Sequence, residues 1–144
     1  MKKIISLLLS LLMLWGCQTS TNEVKLNKHA TLSFFYIETC SECKAFKKNV
    51  IPLLEKTFGD QLTINQYDLD DSNTLEVYDQ VIDSLEYFDE ELYGKGPFVV
   101  LDGYFALIGY DGYDDDLILD IERAVNGEEL GYELEGLRFL YKES

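Results

Sequence analysis

Positive charge is scarce in this sequence, which has 12 Lys and Arg residues against 27 Asp and Glu residues. An acidic surface repels the phosphate backbone of DNA and RNA, so no nucleic-acid partner is expected. The acidic residues are spread along the chain, in segments such as DLDD, YFDEEL and DGYDDD. This distribution indicates a solvated, solubilising surface, and a specific cation site is the alternative.

The apolar stretch from Ile4 to Trp15 is too short for an ordinary membrane-spanning helix, which needs about 20 residues. Two lysines precede this stretch, an arrangement typical of an export signal. The segment LWGC, residues 14–17, resembles the lipobox of bacterial lipoproteins, in which the signal is cut before an acylated cysteine. This resemblance implies a signal peptide over residues 1–16 and a lipid on Cys17 that holds the protein on the membrane. A signal without lipid, followed by an incidental cysteine, is the alternative.

Cysteine and histidine are also rare, with three and one residues in the chain. If Cys17 carries lipid, Cys40 and Cys43 have only each other as intramolecular partners, and such a pair can be oxidised outside the cytoplasm. The C-x-x-C spacing allows a redox pair, half of a metal site or a structural staple. A closed zinc site takes four protein ligands, and only His29 and carboxylates are left to complete it, so no metal is expected. His29 is expected to be exposed. A staple is a weak explanation because so short a loop constrains the unfolded chain little.

Apolar residues make up 47% of the sequence, enough for one domain with a single core. Residues 17–29 are predicted to be a lipidated tether, because the segment from Gln18 to Lys28 is polar and lacks a sustained hydrophobic period. Residues 30–127 are the predicted domain and residues 128–144 a C-terminal extension. The apolar spacing in that extension fits helix and strand equally well, so its structure stays open.

Hydrophobic periodicity and turn residues define the elements of the predicted domain. Strands are predicted over 30–37, 62–69, 98–101 and 104–110, and helices over 41–58, 75–93 and 114–125. Pro52 is expected to kink or divide the first helix, and Gly59 to end it. Asp114, Asp115 and Asp116 are expected at the start of the third helix, where the dipole favours negative charge.

This order of elements, together with three local features, resembles the thioredoxin superfamily over about Ala30 to Asn126. The features are the segment from Phe35 to Cys40, the basic Lys44 after the second cysteine, and Gly96-Pro97. The resemblance implies an α/β fold with a βαβαββα core, in which helices flank a central mixed sheet. It also implies a cis Gly96–Pro97 bond beside the cysteines, with Gly96 pairing its backbone with an extended substrate.

The position of the cysteines at a helix start indicates their roles. A sulfur there faces unpaired backbone amides and the positive end of the helix dipole, both of which favour a thiolate. Cys40 is therefore the predicted attacking sulfur, and Cys43, one turn later, the resolving sulfur. Members of the superfamily with Gly-Pro or His between the cysteines differ in redox role, and Ser41-Glu42 matches neither, so the direction of electron flow stays open.

The sequence thus predicts a lipid-anchored thiol–disulfide oxidoreductase on the extracytoplasmic face of a bacterial cell membrane. Its expected partners are exported protein thiols or disulfides and a membrane electron-transfer partner, and no cofactor is expected. Thioredoxins usually have Trp before the first cysteine and a buried Asp on the preceding strand, where this chain has Thr39 and Phe34. Glu38 is a candidate substitute as proton acceptor, although solvation is the usual fate of such a carboxylate. These departures favour the alternative, a non-catalytic accessory lipoprotein that binds other proteins.

Overall fold

A computed structural model describes residues 23–144; the predicted signal peptide and Cys17 lie outside the described residues. The described residues form a mixed α/β structure in which helices flank one sheet. The elements in chain order are β1 (Ala30–Tyr36), α1 (Ser41–Phe58), β2 (Leu62–Asp68), α2 (Leu75–Ser84), β3 (Phe98–Leu101), β4 (Phe105–Ile108), α3 (Asp114–Asn126) and β5 (Arg138–Leu140). The predicted order of the first seven elements is confirmed.

The sheet has five strands in the order β2-β1-β3-β4-β5. Strands β1 and β2 run parallel, with Ala30 opposite Leu62, while the other neighbouring pairs are antiparallel. The predicted hairpin at Asp102-Gly103 joins β3 to β4. The mixed sheet that the sequence predicts is therefore present.

Strand β1 is buried on both faces because its neighbouring phenylalanines point to opposite sides of the sheet. Phe34 stacks on Phe46 of α1, with ring centroids 4.8 Å apart. Phe35 packs against Tyr78 of α2 on the other side, at 5.3 Å. Apolar residues of α3 join the cluster on the Phe34 side. Helices α1 and α3 thus cover one face of the sheet, and α2 covers the other.

Helix α1 begins and ends as the sequence predicts. Cys40 is its N-cap residue, and Gly59 is its C-cap with φ +50°, a value that favours glycine. Pro52 does not divide the helix, which runs unbroken for 18 residues. The carboxyl end of β1 and the first turn of α1 therefore carry the two cysteines.

The prediction that the second helix continues to Tyr93 is wrong, because α2 ends at Ser84. Leu85 adopts an extended conformation, is 2% exposed and forms an isolated β-bridge with Tyr141. The backbone amide of Lys142 also donates to the carbonyl of Ser84, at 2.9 Å. This pairing with the C-terminal segment replaces further helical hydrogen bonds.

The C-terminal extension contains strand β5, which pairs with β4 and settles the choice that the sequence leaves open. Asp120 of α3 holds this segment through two interactions: it accepts from the Arg138 guanidinium at 2.9 Å and from the Gly131 amide at 3.0 Å. Asp120 is 2% exposed, so its charge is compensated by these donors rather than by water. The extension is thus part of the sheet.

The sequence predicts a flexible tether up to His29, whereas residues 24–28 contact the domain. Leu26 is only 6% exposed, and its amide donates to the Gln61 side chain at 2.8 Å. Lys28 lies over the ring of Tyr104, 5.5 Å from its centroid. His29 is exposed, as expected, and its ring contacts Thr63 at 2.8 Å. No helix within residues 23–144 has the length and apolar composition to cross a bilayer.

Candidate active site

Cys40 lies where β1 passes into α1, at the amino end of the helix. Its amide donates to the carbonyl of Ile37 at 3.0 Å, which closes the turn between the two elements. Its sulfur accepts from the backbone amide of Cys43 at 3.1 Å and so caps the helix. A helix N-terminus stabilises negative charge on a group in this position. The local structure therefore favours a thiolate at Cys40.

Cys43 follows one turn later and differs from Cys40 in exposure. Cys43 is 2% exposed, while Cys40 is only partly buried. The two form a disulfide with their Cα atoms 5.2 Å apart. A partner sulfur thus has access to Cys40 and not to Cys43, an asymmetry that matches the predicted roles.

Gly96 and Pro97 lie beside the disulfide, as the sequence resemblance implies. Their peptide bond is cis. The carbonyl oxygen of Gly96 is 3.5 Å from the Cys40 sulfur. A Cβ atom added at Gly96 would lie 2.9 Å from the Cys43 sulfur, closer than carbon and sulfur approach without displacement. Glycine at position 96 therefore lets this loop approach the pair.

Glu42, one of the two residues between the cysteines, connects the pair to a distant loop. The carboxylate of Glu42 accepts from the backbone amide of Tyr110 at 3.3 Å. The Tyr110 hydroxyl donates to Asp114 at 2.6 Å, and the Tyr113 hydroxyl donates to the carbonyl of Gly109 at 2.7 Å. The first turn of α1 is thus tied to the segment between β4 and α3.

The two tyrosines of this segment hold their protons strongly. Burial, followed by the hydrogen bond to Asp114, raises the pKa of Tyr110 to about 12. Burial, with the nearby charge of Asp111 next in importance, also raises the pKa of Tyr113 well above its ordinary value. Both hydroxyls therefore remain donors at neutral pH.

Cys43 is one of the residues that line a narrow crevice of about 20 Å³. Glu38 and Lys47 line it together with Tyr36, whose ring centroid is 4.2 Å from the Lys47 ammonium. A volume of this size holds about one water molecule. Glu38 is exposed at this crevice, which keeps it a candidate proton acceptor for Cys43.

The structure thus brings four of the predicted site residues together: Cys40, Cys43, Gly96 and Pro97. Cys17, the predicted lipidation residue, lies outside the described residues. Sequence reasoning missed the contact between Glu42 and Tyr110, because the two are 68 positions apart and no local spacing signals their meeting. Phe34, at the position of the thioredoxin acid, is fully buried and carries no ionisable group. Within residues 23–144, no cluster of three His, Cys, Asp or Glu residues has the arrangement to hold a metal ion.

Comparison with known proteins bears on the N-terminus of the chain. The family model for a prokaryotic membrane lipoprotein lipid attachment site matches residues 1–18. No curated protein and no solved structure matches the chain. The family match supports a lipid-anchored, membrane-associated protein, and it includes Cys17.

Proposed function

We propose that this protein is an extracytoplasmic, lipid-anchored thiol–disulfide oxidoreductase with a thioredoxin-like fold. The observation that carries the proposal is the unequal exposure of two bonded cysteines at a helix start. Cys40 is accessible and caps α1, while Cys43 is buried one turn later. A structural staple has no need of this asymmetry, whereas disulfide exchange requires one reachable sulfur and one protected sulfur.

In the oxidising direction, a partner thiolate attacks the Cys40 sulfur. The bond between Cys40 and Cys43 breaks, and Cys43 leaves as a thiolate. A second partner thiolate then attacks the partner's sulfur in the mixed disulfide and expels the Cys40 thiolate. The partner loses two electrons as its own disulfide forms, and the cysteine pair gains them.

In the reducing direction, the Cys40 thiolate attacks a partner disulfide, and one partner sulfur leaves as a thiolate. The Cys43 thiolate then attacks the Cys40 sulfur and expels the second partner thiolate. In both directions the partner bonds to Cys40 and Cys43 bonds only to Cys40, and the helix N-terminus stabilises Cys40 whenever it carries negative charge.

Gly96 and Pro97 are the proposed substrate-binding residues. The Gly96 carbonyl is 3.5 Å from the Cys40 sulfur, so a strand that pairs with the Gly96 backbone would bring its own cysteine to Cys40. Because Gly96 has no side chain, this contact selects an extended backbone rather than a particular sequence.

The test is reduction of a model protein disulfide by the wild-type protein and by Cys40→Ser and Cys43→Ser variants. We expect Cys40→Ser to be inactive. We expect Cys43→Ser to attack without turning over, because the resolving sulfur is missing, and to accumulate a mixed disulfide. If the wild type is as inactive as both variants, the protein is instead a binding module with an inert disulfide.

A further inference from the structure

The chain enters the domain at a fixed point, set by the end of α1. The Gln61 side chain accepts from the Leu26 amide at 2.8 Å and donates to the Val24 carbonyl at 2.9 Å. Leu26 itself is 6% exposed and belongs to the main hydrophobic cluster. These contacts hold residues 24–26 against the segment that follows Phe58.

The end of α3 holds the same stretch from its other side. The Asn126 side chain accepts from the Asn27 amide at 2.7 Å and donates to the Lys25 carbonyl at 3.1 Å. Asn126 is the last residue of α3, as Phe58 is of α1. The chain therefore enters where both helices have their carboxyl ends.

The disulfide lies at the opposite end of the molecule. Cys40 caps the amino end of α1, and the 18 residues of this helix span about 27 Å at 1.5 Å per residue. The hydrogen bond from Tyr110 to Asp114 places the amino end of α3 at the same end as Cys40, because Tyr110 also contacts Glu42. Chain entry and disulfide are separated by the full length of α1.

The chain segment between Cys17 and the domain is shorter than α1. Seven residue steps separate Cys17 from Val24, the first residue that these contacts hold, and a chain of this length reaches at most about 25 Å even when fully extended. A lipid on Cys17 thus keeps the chain-entry end within that distance of the membrane. Full inversion of the domain, with the disulfide end on the bilayer, would need a link at least as long as α1, and the extended link is shorter. The anchor therefore favours orientations in which the disulfide end lies away from the bilayer.

The negative charge of the disulfide end also favours an orientation in which that end lies away from the bilayer. At the disulfide end, Asp68 is the last residue of β2, Asp70 and Asp71 follow it, and Asp111 and Asp115 lie near the start of α3. These five carboxylates outnumber the three lysines in the first two turns of α1, Lys44, Lys47 and Lys48. Bacterial and other anionic lipid surfaces repel such a group of carboxylates over about one Debye length.

We propose that the lipid anchor holds the domain with the disulfide end away from the bilayer, so that Cys40 exchanges with cysteines exposed to water above the membrane. Such cysteines belong to soluble exported proteins or to the ectodomains of membrane proteins. Cysteines within the bilayer are out of reach. The choice of partner rests on the proposed exchange function, whereas the orientation rests only on the lipid anchor and the contacts above.

Energy transfer from tryptophan to the membrane surface measures this orientation. The only tryptophan of the sequence, Trp15, is removed with the predicted signal peptide, so one introduced tryptophan is the sole donor. Asp60→Trp places it at the chain-entry end, and Asp111→Trp places it at the disulfide end; both positions are exposed. The lipidated protein is inserted into vesicles containing a dansyl-headgroup lipid, with acceptor-free vesicles as reference.

We expect several-fold more transfer from Asp60→Trp than from Asp111→Trp. Equal transfer, or more transfer from Asp111→Trp, would overturn the proposal. The same measurement on variants that also carry Cys40→Ser and Cys43→Ser should give the same ratio, because orientation does not depend on exchange. A failure of the exchange function therefore leaves this test intact.

A second measurement tests the partner class. The lipidated wild type in vesicles is given one model disulfide peptide free in solution, and separately the same peptide coupled directly to a lipid headgroup. We expect several-fold faster reduction of the free peptide at equal reductant. Equal or faster reduction of the lipid-coupled peptide would contradict the proposed partner class, and reduction of neither peptide would contradict the exchange function alone.

Discussion

Gly96 controls how closely its loop approaches the cysteine pair. A Cβ atom at this position would lie 2.9 Å from the Cys43 sulfur, so Gly96→Ala forces the loop or the disulfide to move. Overpacking of this kind costs about 1–3 kcal/mol, and we expect that loss in the free energy of unfolding of the oxidised protein. We also expect slower disulfide exchange. Urea unfolding and exchange with a model disulfide measure the two effects.

Gly136→Ala is the matched control for this prediction. Gly136 has no heavy atom within 4 Å of an added Cβ, and its backbone does not require glycine. We expect this variant to unfold and react like the wild type. Equal behaviour of the two variants would mean that the close approach at Gly96 does not matter.

Tyr110 gives the protein a pH dependence in the alkaline range. Its pKa is raised from 10.0 to about 12 by burial and by the hydrogen bond to Asp114, so the unfolded chain loses this proton first. The contribution to the free energy of unfolding is therefore complete below pH 10 and falls as the pH rises from 10 to about 12. We expect a shallower fall in Tyr110→Phe, measured by urea unfolding across this range.

For Tyr110→Phe, the quantity to compare is the slope of the free energy of unfolding against pH. The absolute free energy of unfolding is not a fair comparison, because the variant also loses a hydrogen bond worth about 1 kcal/mol. Tyr132→Phe, at a position that is 85% exposed, is the control and should keep the wild-type slope. Identical slopes in all three proteins would show that Tyr110 does not titrate as described.

At the scale of elements, one buried carboxylate joins α3 to β5. Asp120 is 2% exposed and Arg138 is 8% exposed, so removing one partner leaves the other charge buried and unpaired. We expect Asp120→Ala to lower the free energy of unfolding by about 3–5 kcal/mol. Asp115→Ala, on the exposed side of the same helix, should cost at most about 1 kcal/mol through the helix dipole.

A double variant keeps this prediction testable if Asp120→Ala fails to fold. In Asp120→Leu/Arg138→Met, both charges are replaced by apolar side chains, and stability should return in part. Urea unfolding compares these proteins with the wild type. A loss in Asp120→Ala no larger than that in Asp115→Ala would contradict a structural role for the pair.

The sequence predicts well those helices and strands whose bounds are set by residues within the same segment. Helix α1 has its N-cap, its apolar period and Gly59 within one segment, and its predicted bounds match the structure. Helix α2 ends early because Leu85 pairs with Tyr141, 56 positions along the chain, while its apolar spacing continues past this point. Strand β5 is also defined by a long-range pairing, in its case with β4, so periodicity alone does not distinguish strand from helix there.

The candidate site likewise combines features that the local sequence predicts with contacts that arise only from the fold. The proposed roles of Cys40 and Cys43 rest on their spacing at a helix start, and the resemblance of Gly96-Pro97 to a thioredoxin loop predicts that those residues lie near them, as the structure has them. The contact between Glu42 and Tyr110 depends on how α1 and α3 pack, which no sequence pattern within either element expresses. The positions of the two cysteines at the helix start were thus predictable from the sequence, and the tertiary contacts around them were not.

At the scale of the whole molecule, the point of chain entry and the disulfide lie at opposite ends of α1. Contacts with Gln61 and Asn126 fix where the chain enters, and the first turn of α1 fixes where the disulfide lies. The sequence predicts a flexible tether up to His29 and so gives no fixed point of chain entry. The separation between chain entry and disulfide therefore becomes visible only in the folded structure. Under the proposed exchange function, this separation would let a lipid-anchored protein act on cysteines in the aqueous phase.

The unequal roles of the two cysteines are the central claim, and trapping of a mixed disulfide tests them most directly. Cys43→Ser and Cys40→Ser proteins are each incubated with a peptide disulfide, and the adducts are located by digestion and mass spectrometry. We expect a stable adduct on Cys40 in the Cys43→Ser protein, and far slower labelling of the buried Cys43 in the Cys40→Ser protein. Equal labelling of the two sulfurs, or no adduct on Cys40, would contradict the account.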